Sequence, residues 1–129
     1  MSNEPTNIYY YPDGSIKYED WYQDGKLHRN GAPAATWYNQ DGSIQSEYWY
    51  QDGWSHRDGG PAYVGYYPDG SVKSEDWYQD GKRHRVDGPA YVDYYEDGSV
   101  FNEAWFREGV RVDPPDSPDV SIPDRGVEL

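Results

Sequence analysis

The chain has 129 residues, no cysteine, and a formal net charge of −13 from 24 acids against 11 lysines and arginines. Disulfides and thiolate metal sites are thereby excluded, and the charge opposes direct binding to nucleic acid or an anionic membrane surface. With no apolar run near the ~20 residues of a membrane span and no signal-peptide core after Met1, the expected product is a cytoplasmic protein of one domain or one short array.

Residues 1–7 carry no pattern and are expected to be disordered. From residue 8 onward one phrase returns every 28 residues: Asp13-Gly14-Ser15, Asp41-Gly42-Ser43, Asp69-Gly70-Ser71 and Asp97-Gly98-Ser99. Trp21, Trp49, Trp77 and Trp105 keep the same period, as do Gly25, Gly53, Gly81 and Gly109. Between Tyr10–Arg29 and Tyr66–Arg85, 17 of 20 aligned positions are identical. A fixed period of this size means one supersecondary unit copied and stacked, with copies at 8–34, 35–62, 63–90 and 91–112. Ile, Leu, Val and Phe make only 17 of the 129 residues, a supply typical of disordered chains. Fifteen Tyr and six Trp at recurring positions instead predict a narrow aromatic-rich core.

Within the third copy, residues 63–67 are aromatic and β-branched and predict a strand. Asp69-Gly70 is a hairpin turn, because Gly tolerates positive φ and Asp the left-handed region. Residues 72–79 predict one returning strand, Asp80-Gly81 a second tight turn, and residues 84–90 a link in which Pro89 bars a ladder position. No segment has a 3.6-residue apolar period. The predicted fold is therefore all-β: a single-layer antiparallel meander of four 28-residue β-hairpin repeats, with in-register ladders of Trp, Glu and His-Arg. In the fourth copy Val112 and Asp113 replace His-Arg, which ends the array. Residues 113–129 are proline-rich and acidic and predict an extended tail, with Val120 and Ile122 placed to cap the last strand.

Each chemical motif also has an architectural reading. The acids of the Asp-Gly pairs are turn residues and lack the spacing of a calcium loop. His28, His56 and His84 are a ligand type zinc accepts, yet equivalent atoms two strands apart stand ~9–10 Å from one another, and each His is followed by Arg. They are taken as structural or partner-contacting, with His56→Ala expected to leave folding unchanged. His beside Glu would serve acid–base chemistry, but a catalytic site is singular and concave, and nothing here is singular. No enzyme, cofactor or metal is expected.

Gly81-Lys82 with His84-Arg85 and Gly88-Pro89-Ala90, then Tyr95 with Asp97-Gly98-Ser99, then Glu103, Trp105 and Gly109, resembles MORN repeats. The likeness is greatest to the longer MORN-like variants of bacterial, phage and giant-virus proteins, some labelled antitoxins. It covers roughly residues 8–112, with several residues beyond the commonest unit around the His-Arg link. It implies a curved single-layer antiparallel sheet and a non-enzymatic binding role.

The in-register acids suggest the use of that role. Glu19, Asp20, Glu47, Glu75, Asp76 and Glu103 beside Trp21, Trp49 and Trp77 are the expected partner-binding residues. As an acidic aromatic ribbon they would mimic a phosphate backbone for a basic protein, such as a nuclease, toxin or nucleic-acid-binding effector. The chain would then act as an antitoxin or a counter-defence inhibitor. A MORN-type scaffold or lipid-associated module is the alternative, and self-association through the sheet edges is left open.

Overall fold

Aromatic and β-branched runs separated by Asp-Gly pairs can satisfy their backbone only by pairing with one another, and this is the architecture seen in a computed structural model that describes residues 4–115. The first copy forms β1 (Asn7–Tyr10), β2 (Ile16–Asp20), β3 (Tyr22–Gln23) and β4 (Lys26–Leu27). The second forms β5 (Ala35–Tyr38), β6 (Ile44–Tyr48), β7 (Tyr50–Gln51) and β8 (Trp54–Ser55). In the third are β9 (Tyr63–Tyr66), β10 (Val72–Asp76), β11 (Tyr78–Gln79) and β12 (Lys82–Arg83); β13 (Tyr91–Tyr94), β14 (Val100–Arg107) and β15 (Val110–Val112) complete the set. The main sheet has nine antiparallel strands in the order β1-β2-β5-β6-β9-β10-β13-β14-β15, and β3-β4, β7-β8 and β11-β12 are separate two-stranded hairpins. The fold is thus an all-β antiparallel meander, as the spacing predicts.

Both turns of each copy follow their chemistry. Asp24 and Gly25 have φ of 53° and 75°, the pair of positive values that a type I′ two-residue hairpin requires. At the other turn Asp13 Oδ1 accepts from the Ser15 amide at 2.9 Å and from its hydroxyl at 2.6 Å. The Ser15 hydroxyl and amide hold the exposed Asp13 carboxyl below its ordinary range, and Asp41, Asp69 and Asp97 are held the same way.

Two expectations are corrected. Residues 72–79 are not one strand. At Trp77 the backbone N–H donates to the Ala90 carbonyl at 2.7 Å and the carbonyl accepts from His84 N–H at 3.0 Å. The chain before Trp77 pairs with β13 and the chain after it with β12, so the partner changes at the indole. Among the described residues no link binds residue 105, and β14 runs unbroken through Trp105, which pairs with Val112. Nor does order begin at residue 8: the Thr6 amide donates to the Asp20 carbonyl at 2.7 Å, and Asn7 pairs with Asp20. Copies accordingly begin at 7, 35, 63 and 91, where their first strands start. Asp113 to Pro115 form no strand; the tail from 116, with Val120 and Ile122, lies outside the described residues.

The histidine ladder joins copies. His28 Nδ1 accepts from the Asp52 amide at 3.0 Å, His56 Nδ1 from Asp80 at 3.0 Å, and His84 Nδ1 from Glu108 at 2.9 Å. Each imidazole thus satisfies an amide in the next copy's positive-φ turn. This overturns the expectation that His56 is dispensable. His56→Ala should destabilise the array by ~0.5–1.5 kcal/mol, the net worth of one hydrogen bond at an exposed turn, read as a lower urea midpoint; an unchanged midpoint would assign that amide to water.

Candidate functional site

Successive strand residues point to opposite faces, and here the two faces have different contents. On one, which we call the framework face, Glu19, Glu47, Glu75 and Glu103 recur with Tyr38, Tyr66 and Tyr94. The Tyr38 hydroxyl donates to Glu19 at 3.1 Å, Tyr66 to Glu47 at 2.8 Å and Tyr94 to Glu75 at 2.8 Å. Each pair joins one copy to the next. Burial first, then the carboxylate, pushes all three phenols up to about 12.

The recurring tryptophans are covered on the framework face. Arg29, Arg57 and Arg85 place their guanidinium carbons 3.6, 3.8 and 3.8 Å from the ring centroids of Trp21, Trp49 and Trp77. Each guanidinium is held there by the carbonyl of Pro33, Pro61 or Pro89. The His-Arg link is therefore a lid that folds back over its own Trp. Beneath it Thr36, Val64 and Val92 are buried. The indole N–H groups of Trp21, Trp49, Trp77 and Trp105 are buried without an acceptor, so these rings act through packing.

Asp20 and Asp76, adjacent in sequence to Glu19 and Glu75, project to the opposite, open face. The predicted acids thus do not form one stripe, because a period of two separates neighbours. Asp20 is 4% exposed and accepts from Asn7 Nδ2 at 2.9 Å. Burial pushes the Asp76 carboxyl up, and Arg83, whose Nε donates to it at 2.9 Å, opposes that shift. Among the expected site residues only Glu103 is exposed and beyond the reach of a following Tyr.

Residues that the spacing did not single out dominate the open face. Tyr9 and Tyr18 stack at 5.9 Å, Tyr18 and Trp37 lie at 4.5 Å, and Tyr48 and Tyr63 at 5.0 Å. A groove of about 520 Å³ is floored by Ser46 and Gly65 and walled by Trp37, Tyr48 and Tyr63. A second, of about 480 Å³, shares Tyr48 and Tyr63 and continues past Trp54 and Asp76. Trp54 is 61% exposed. The signal that could have found this face was the alternation itself, applied to the residues that differ between copies.

The described residues contain no group of three His, Asp or Glu able to hold a metal ion and no helix long and apolar enough to cross a membrane. No family model matches the chain, and neither a curated protein nor a solved structure matches it.

Proposed function

We propose that this chain is a non-enzymatic, protein-binding repeat protein of the MORN-like kind, an acidic inhibitor that occupies the basic, nucleic-acid-binding surface of a partner. Its charge carries this reading. Residues 4–115 hold 20 acids and 10 bases, a net of −10, and Arg29, Arg57, Arg85 and Arg83 are already spent on Trp rings and Asp76. The remaining negative field favours fast, steered encounter with a basic surface. An antitoxin or a counter-defence protein in the cytoplasm would work in this way.

The test is competition. A basic partner captured from the native host should lose its binding to duplex DNA when the chain is added, and its affinity for the chain should fall steeply with salt, since exposed charges are screened over ~8 Å at physiological ionic strength. Affinity indifferent to salt, or DNA binding that survives saturation with the chain, would sink the proposal. Binding to anionic vesicles in place of protein would favour the lipid-associated alternative.

A further inference from the structure

We infer that the open face is the partner-binding face, and that it takes arginine side chains of a basic partner on the rings of Trp37, Tyr48 and Tyr63. The inference rests on the proposed function and adds to it the face and the side-chain chemistry.

The reason lies in comparing copies. Each position of the main sheet occurs four times in the same register, and a stacked array makes the same contact at each interface. The framework face obeys this. It repeats Tyr at 10, 38, 66 and 94, Glu at 19, 47, 75 and 103, and a β-branched residue at 16, 44, 72 and 100. On the open face the small hairpins keep one aromatic position, Tyr22, Tyr50 and Tyr78 with Phe106, but the remaining main-sheet positions keep none. Residue 9 is Tyr, 37 is Trp, 65 is Gly and 93 is Asp. Residue 20 is Asp, 48 is Tyr, 76 is Asp and 104 is Ala. Positions 7, 35, 63 and 91 run from Asn and Ala to two Tyr; 18, 46, 74 and 102 run from Tyr to Ser, Ser and Asn. Stacking does not require this variety, whereas a ligand without a 28-residue period does. Rigid aromatics set among Ser, Gly and Asn are also the composition of surfaces that recognise proteins.

Two details place the centre of the surface between the second and third copies. Gly65 lies inside a strand and has no positive φ, so the backbone does not demand it; a Cβ there would stand 2.7 Å from the Tyr63 hydroxyl. The missing side chain makes room for the Tyr63 hydroxyl beside the groove floor. Trp54, in turn, covers the turn glycine Gly81 in the place that the Lys26 and Lys82 stems hold over Gly53 and Gly109, which extends the ring surface past Tyr48.

Charge selects the occupant. The net −10 of residues 4–115 calls for a cation. On this face Asp93 accepts from Tyr91 and Asn102 and carries no ion pair among the described residues, Asp76 is shared with Arg83, and Lys73 stands at the rim of the first groove. The chain itself stacks guanidinium on indole three times. A planar guanidinium uses an aromatic face and a carboxylate together better than an ammonium does.

The test titrates the full ¹⁵N-labelled chain with a nona-arginine peptide and a nona-lysine peptide at physiological salt. Nona-arginine should bind about tenfold more tightly. The indole N–H resonance of Trp37 should shift while those of Trp21 and Trp77 stay in place. Trp37→Ala should weaken binding several-fold, Tyr48→Ala/Tyr63→Ala likewise with a dispersed spectrum retained, and Glu103→Lys on the framework face should not. Equal affinity for the two peptides, shifts confined to the framework face, or a Trp37→Ala chain that binds as well as the parent would each overturn the assignment. Salt-sensitive binding of both peptides that leaves Trp37 unmoved removes the face and leaves the proposed function standing. Binding of neither peptide removes both.

Discussion

Trp49→Ala is expected to lower the unfolding free energy by ~3–5 kcal/mol, the usual cost of truncating a packed aromatic, and Trp105→Ala by clearly less. Trp49 lies between its sheet and the Arg57 guanidinium, 3.8 Å from the ring centroid, and its backbone N–H donates to the Ala62 carbonyl at 2.6 Å. Removing the ring leaves a cavity and strips the arginine of its seat, so the lid over that stretch of framework face loses its purpose. Trp105 has Asp113 where the lid arginine would stand, and residues 113–129 do not repeat the 28-residue phrase. A domain of this size holds only a modest net stability, and the inner truncation should consume a large part of it. Because the Trp49 indole N–H has no acceptor, Trp49→Phe should retain most of what Trp49→Ala loses. Urea unfolding followed by far-UV circular dichroism would measure all three; equal losses at 49 and 105 would show that inner and outer copies bear the same load.

A second large effect is expected in alkali. Tyr38, Tyr66 and Tyr94 are pushed up to about 12 by burial and by the Glu each one bonds, and Tyr91 to about 12 chiefly by its bond to Asp93. An unfolded tyrosine ionises near 10, so between about pH 10 and 12 the unfolded chain releases protons that the folded chain keeps. The folded pKa is the raised one; the stabilisation is therefore complete below pH 10 and is lost as pH rises through 12. Three of the four tyrosines join neighbouring copies, so their ionisation should undo the array in one steep step and not one ring at a time. Absorbance of tyrosinate and the circular dichroism of the sheet should change together within that window. Tyrosines that all titrate near 10 while the sheet signal persists would contradict the inter-copy bonds.

How far these features could be read from residues alone follows from the range of the interactions behind them. Asp24-Gly25 and Asp13-Gly14-Ser15 carry their turns locally, so the meander order and antiparallel sense were legible in their spacing, whereas the number of strands was not. The break at Trp77 was not, because it depends on Ala90, thirteen positions on, whose carbonyl claims the indole residue's amide. Adjacent acids such as Glu19-Asp20 invited the idea of a stripe, although the two-residue period of a strand already placed them on opposite faces. Trp21, Trp49 and Trp77 suggested exposed contacts, but the arginine that follows each histidine covers them. The clue was present in the fourth copy, where lid and histidine disappear together. Trp37, Tyr48 and Tyr63 escaped notice for the opposite reason: attention to what recurs passes over what does not.

The histidine-to-turn bonds also give the array a direction of growth. Every copy but the last presents an imidazole acceptor forward, and every copy but the first presents a turn amide to receive it. A 28-residue segment inserted between Ala62 and Tyr63 would find both halves of that joint waiting, together with a Glu behind it and a Tyr ahead. The molecule is in this sense a length of ruler, and the number of side chains it can set before a partner is adjustable by whole units, each insertion replacing one joint with two of the same kind.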